Sequence, residues 1–209
     1  MSKIKAILFD MDGVLIDAKD WHYESLNKAL RLFGLEISRY DHLNSFDGLP
    51  TKEKLNMISK DSYLPKELHN FINELKQDYT MELVGMKCKP VFQHEYALSK
   101  LKSKGYKIAV CSNSIRHTIE SMMNKAGLIA YLDLILSNED VVKSKPNPEI
   151  YLTAMNKFDL LPEECVVVED NENGIKAAKA SGANVLSVNT VYDVNYSNII
   201  NFIERLEEK

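Results

Sequence analysis

Five short apolar runs constrain this chain more than any other feature: residues 6–9, 107–111, 132–136, 165–168 and 185–188. Each is almost continuously hydrophobic rather than alternating. That is the pattern of a strand covered on both faces, and such strands belong to parallel sheets. Helical spacing separates most of them: Ile115, Ile119, Met122, Met123 and Ala126 recur at three- and four-residue intervals, and Tyr96, Leu98 and Leu101 mark a further helix. Strand and helix in alternation predict an α/β fold with a doubly wound parallel sheet.

One gap breaks the alternation. About a hundred residues lie between the first and second runs and contain no convincing strand. Trp21, Leu26, Ala29, Leu30 and Phe33 outline an amphipathic helix ending near Gly34, and further helices are predicted over Thr51 to Ile58 and Pro65 to Thr80. The expected organisation is a small all-helical insert at residues 17–88 within a core formed by residues 1–16 and 89–209.

Composition then narrows the function. With 26 basic and 30 acidic residues mixed along 209, and a net charge of −4, the chain has no broad basic surface for nucleic acid. Its apolar runs are too short to span a bilayer and nothing resembles a signal peptide, so a cytoplasmic protein without a membrane role is expected. Oligomeric state is not legible. Cys88, Cys111 and Cys165 are odd in number and widely spaced, which suggests neither a disulfide framework nor a zinc site. Buried thiols at Cys111 and Cys165, and core packing for Met122, Met123 and the aromatics of the first insert helix, are the simpler readings.

Charged and polar groups collect where the strands end. The first run leads into Asp10-Met11-Asp12-Gly13, the second into Ser112-Asn113-Ser114, and the fourth into Glu169-Asp170. Lys145, stiffened by Pro146 and Pro148, follows the third. Any one of these has an ordinary explanation: a turn, an N-cap at Ser114, a solvated lysine, an acidic loop. Together they fall at the carboxyl edge of one parallel sheet, where α/β folds bind ligands. The stretch from Asp170 to Gly174 is not a calcium loop, since its glycine is misplaced and the closing glutamate is missing. Two acid pairs suit a hard cation, and hydroxyl, amide and backbone N–H groups before a helix suit phosphate oxygens. Phosphoryl transfer needs such a set: Asp10 as nucleophile, Asp12 as proton donor and then base, Mg2+ held by Asp10, the Asp12 carbonyl and Asp170, and Lys145 offsetting the negative charge.

These motifs, in this order, resemble those of the haloacid dehalogenase superfamily. Within it, residues 9–17, Ser112-Asn113, residues 145–151 and residues 168–174 are similar to the β-phosphoglucomutase and sugar-phosphatase branch. The resemblance implies a Rossmann-like core, a small helical cap that closes over substrate, and magnesium. It assigns Asp10 as nucleophile, Asp12 as acid and base, Ser112 and Asn113 as phosphate ligands, Lys145 as charge stabiliser, Asp170 as metal ligand and Glu169 as a further one through water. It also points to His22, and to Lys52 in the loop Asp47 to Lys52, as substrate-contacting cap residues. Arg116 follows Ser112-Asn113 closely enough to face the same cleft, or else is a helix-surface charge.

Two departures favour a phosphatase acting on a small phosphomonoester over a mutase. Ala18 stands where the mutases carry threonine, and Lys52 where they carry an arginine that grips a second phosphate; an ammonium is a point charge, not a bidentate fork. A dehalogenase would not need Asp12. A non-enzymatic phosphoacceptor would place its aspartate after a middle strand and carry no helical insert.

Overall fold

The structure, a computed structural model, describes residues 4–208. Its elements run β1 (Ala6–Phe9), α1 (Lys19–Arg31), α2 (Arg39–Asp41), α3 (Thr51–Asp61), α4 (His69–Lys87), α5 (Phe92–Ser103), β2 (Lys107–Cys111), α6 (Arg116–Lys125), β3 (Leu134–Leu136), α7 (Glu149–Phe158), β4 (Cys165–Glu169), α8 (Glu172–Ala180), β5 (Asn184–Ser187) and α9 (Tyr196–Glu207). They divide into two compact units. One runs to Asp17 and resumes at Lys89; the other is Ala18–Cys88.

All five strands join one parallel, Rossmann-like sheet in the order β3-β2-β1-β4-β5. β1 is central, with Ala6–Phe9 opposite Lys107–Val110 on one side and Cys165–Val168 on the other. Every β1 side chain is buried, which accounts for its unbroken hydrophobicity. Ala6, Leu8, Ala109, Cys111 and Val167 share a cluster with Tyr151, Ala154, Ala177 and Ala178 of α7 and α8. Each large aliphatic side chain buried this way contributes about 1.5–3 kcal/mol. Cys88, Cys111 and Cys165 are free and buried. Burial pushes the Cys111 and Cys165 thiols up to about 12, so neither ionises near neutral pH.

Several boundaries differ from those predicted. β3 starts at Leu134 rather than Leu132. Leu132 closes a 3-10 turn, while the Asp133 carboxylate accepts the Ile108 N–H at 2.9 Å and pairs with Lys102 at 2.7 Å. β5 lies one residue earlier than expected, and β4 reaches Glu169. The helix predicted over residues 65–80 is a 3-10 turn, Lys66–Leu68, followed by α4 as far as Lys87. α3 continues to Asp61.

The Ala18–Cys88 unit has its own core. α1 packs along α4, and Leu26, Ala29, Leu30, Ile37, Leu55, Leu64 and Ile72 meet between helices. Asn27, buried on α1, clasps the returning chain: its Nδ2 donates to the Ile37 carbonyl at 2.9 Å and its Oδ1 accepts the Ile37 N–H at 2.8 Å. Asn27→Ala would leave both backbone groups unsatisfied, and a loss of about 1–3 kcal/mol is expected. Chemical denaturation would read it, and an unchanged midpoint would show the clasp to be redundant. No helix among the described residues is long and apolar enough to cross a membrane.

Candidate active site

The end of β1 is built to hold its acids still. The Asp10 N–H donates to Val168 O at 3.0 Å, continuing the sheet by one rung. The chain then folds over itself: Met11 O accepts N–H groups from Leu15 at 3.0 Å and Ile16 at 2.9 Å, and Gly13 N–H donates to Ile16 O at 2.7 Å. Gly13 takes φ of 90°, a left-handed conformation that a side chain would resist. Met11, Val14 and Leu15 drop into the core, so the alternation of acid and hydrophobe after Phe9 anchors the loop. The strand order reverses between β1 and β4, and Asp10 and Asp170 follow those two strands at this switch point.

Lys145 lies at the middle of the site and is 4% exposed. Its Nζ donates to Asp10 Oδ1 at 2.6 Å and to Glu169 Oε1 at 2.7 Å, and sits 4.8 Å from the centroid of the Tyr151 ring. Its backbone is fixed too: Lys145 N–H donates to Asn113 Oδ1 at 3.1 Å, and Asn113 Nδ2 to Lys145 O at 3.4 Å. The Glu169 carboxylate accepts three more hydrogen bonds, from Tyr151 OH at 2.8 Å and from the N–H groups of Asp170 at 3.0 Å and Asn171 at 3.2 Å.

Charge in this pocket is unbalanced. Burial pulls the Lys145 ammonium down, but Asp10 and Glu169 together hold it above the ordinary lysine value. Asp10 is pushed well up by burial; Lys145 opposes this, while Glu169, Asp12 and Asp170 reinforce it. One lysine does not neutralise four neighbouring acids. Asp10, Glu169 and Asp170 can each present an oxygen within 4.8 Å of the others'. This all-oxygen donor set suits a hard divalent cation such as magnesium. Glu169 already carries four hydrogen bonds from the protein, which makes Asp10 and Asp170 the better candidates for direct contact and leaves Glu169 to hold Lys145.

The remaining expected residues separate into groups. Ser112 is buried at the end of β2, and its Oγ accepts the Ser114 N–H at 3.1 Å. Ser114 is not the N-cap of α6; Ile115 is, and the Ser114 hydroxyl donates to Asp12 Oδ2 at 3.2 Å. Asn113 spends its side chain on Lys145. The Arg116 guanidinium meets both Asp140 oxygens at 2.8 Å, an engagement it would have to give up to hold a substrate. His22 and Lys52 belong to the Ala18–Cys88 unit, Lys52 exposed in the first turn of α3. His22 Nδ1 lies 3.0 Å from Lys76 Nζ, and since an ammonium only donates, Nδ1 is the acceptor.

Sequence reasoning gives Lys76 no place, and takes in Tyr151 and Gly174 only as the ends of the stretches 145–151 and 168–174, without a role for either. A lone lysine on a helix carries no signal. A glycine in the first turn of a helix does, because it costs about 1 kcal/mol against alanine.

Comparison with known proteins gives the family. The chain is 29% identical over 197 residues to the phosphorylated carbohydrates phosphatase of Thermotoga maritima, covering 93% of this chain and 87% of that one. It is 30% identical over 179 residues to a phosphoglycolate phosphatase of Aquifex aeolicus, covering 86% and 82%. The fold is similar to the crystal structure of β-phosphoglucomutase from Clostridium difficile, with a TM-score of 0.84 at 23% identity over 99% of this chain and all of that one. The pattern that defines haloacid dehalogenase-like hydrolases matches residues 7–188. That span runs from within β1 to just past β5 and takes in every acid at the sheet edge, and the chain belongs to the haloacid dehalogenase-like hydrolase family.

Proposed function

We propose that this protein is a magnesium-dependent phosphatase that hydrolyses a small phosphorylated carbohydrate or similar phosphomonoester through a phosphoaspartate on Asp10. The observation that carries the reading is the buried bridge from Lys145 to Asp10 and Glu169, with Asp170 beside it at the sheet's switch point. Asp10 supplies the nucleophilic carboxylate, oriented through Oδ1 by Lys145. Asp12, two residues on and held by Ser114, gives a proton to the departing alkoxide and then takes one from the water that attacks the acyl phosphate. Ser112 and the N–H groups that follow it hold phosphate oxygens. Asp10 and Asp170 would hold magnesium, which when bound supplies neutralising charge to the phosphate's oxygens.

The relatives named as phosphatases support hydrolysis, as do Ala18 and Lys52, the departures from the mutase pattern. A turnover screen over phosphorylated sugars, polyols and small acids, with magnesium and then with chelator, tests this reading. Phosphate release is expected to disappear on chelation and return when magnesium is restored. Release that persists without metal would remove the metal from the mechanism. Rapid formation of a positional isomer with negligible free phosphate would make the protein a mutase.

A further inference from the structure

We propose that Tyr151 and Gly174 are positioning residues: between them they pin the Glu169 carboxylate, and through it fix Lys145 against Asp10. The inference deepens the phosphatase reading and rests on it for its kinetic arm. Tyr151, on α7, is fully buried, and its hydroxyl donates to the same Glu169 oxygen that receives Lys145. The underside of its ring faces the same ammonium, so a single side chain touches both members of the pair.

Gly174 closes the other side. A β-carbon there would fall 1.7 Å from Glu169 Oε1 and 2.4 Å from Oε2, so the carboxylate rests directly on the bare backbone of α8. This explains why glycine occupies a helical position at which alanine would add about 1 kcal/mol of helix stability. Hydroxyl, backbone and the two N–H groups of Asp170 and Asn171 leave Glu169 one orientation. Lys145 inherits its place from that orientation.

Tyr151→Phe keeps the ring, its volume and its contact with the ammonium, and removes only the hydroxyl. If Tyr151 were simply a core residue with a satisfied hydroxyl, the variant would turn over like the wild type. Positioning predicts a fall in kcat of about 10- to 100-fold with KM little changed, as for other groups that orient a reacting side chain from behind. Gly174→Ala should lose activity in the same way, because the carboxylate end of Glu169 is the group that its β-carbon would displace. The double variant should lose far less than the product of the two, since both act on one carboxylate. A crystal structure of Tyr151→Phe should show Lys145 Nζ withdrawn from Asp10.

Unchanged kcat, a change confined to KM, multiplicative losses, or an undisplaced Lys145 would each overturn the proposal. A wild-type protein that releases phosphate from no ester would instead sink the phosphatase reading, and the position of Lys145 in the variant would still decide this one.

Discussion

Replacing Asp10 with asparagine is expected to abolish phosphate release, on the order of 10⁴-fold or more, and to leave the protein at least as stable as the wild type in chelated neutral buffer. The amide cannot attack phosphorus, but its Oδ1 can still accept from Lys145. The stability follows from the sign of the carboxyl's shift. Burial, and the acids Glu169, Asp12 and Asp170, raise Asp10 well above its ordinary range despite Lys145. The folded protein therefore binds this proton more tightly than the unfolded chain does. Its contribution is fully present below the ordinary carboxylate value and is lost as pH rises through the raised one. Asparagine has no proton to lose, so the advantage of the variant should grow from acidic to neutral pH. Magnesium should narrow the difference by stabilising the wild type more. Melting curves across pH, with chelator and with magnesium, check each part; an active variant, or one whose stability tracks the wild type at every pH, would contradict it.

The opposite outcome is expected for Lys145→Met. This change keeps an unbranched side chain, one atom shorter, and removes the cation between Asp10 and Glu169, whose side chains are 11% and 1% exposed. Breaking a buried pair from one side typically costs about 3–5 kcal/mol, because a charge is left uncompensated. Here two are left, and Asp10, already raised by burial and its acidic neighbours, can recover by taking up a proton, so the variant should regain stability as pH falls. Turnover should drop by about 10²- to 10³-fold, the usual loss when a preorganised positive group is taken from a developing negative charge. Denaturant titration at two pH values reads the first effect, and kcat measured well below the melting transition reads the second. A variant as stable as the wild type at neutral pH would mean that water or a bound cation already neutralises these acids.

The parts of the fold that could be read from sequence are those whose environment is uniform. β1, β2 and β4 are buried on both faces, and their hydrophobicity ends where the acids or Ser112 begin. β3 and β5 are only partly buried, and their edges were misplaced by one or two residues. Leu132 looks like strand, but the partners that end the strand before it, the Ile108 N–H and Lys102, arrive from far along the chain. The same limit applies at the site. Asp10, Asp12, Lys145 and Asp170 were legible as candidates because each follows a strand. The proposed division of labour between Asp170 and Glu169 was not, because it depends on Tyr151 and Gly174, which reach Glu169 through packing rather than spacing. Arg116 could be read from sequence either as facing the cleft or as a helix-surface charge, and its partner Asp140, 24 positions away, could not be seen from spacing.

The place of β1 at the middle of the sheet bears on how the protein is made. Its two neighbours begin at Lys107 and Cys165. At a synthesis rate of about 5–20 residues per second, β1 leaves the ribosome roughly 5–20 s before β2 and waits several seconds more for β4. During that time the sequence Ala-Ile-Leu-Phe has two open edges and no sheet, a template for pairing with the wrong chain. The Ala18–Cys88 segment emerges in the interval with a core of its own, so it is able to fold before the sheet whose strands flank it in sequence. Asp10 gains its surroundings long after it is synthesised, since Lys145, Glu169 and Asp170 must all be translated first. A nascent chain therefore carries the proposed nucleophile without these partners until β4 is made, and a fragment stopped short of β4 would lack Glu169 and Asp170.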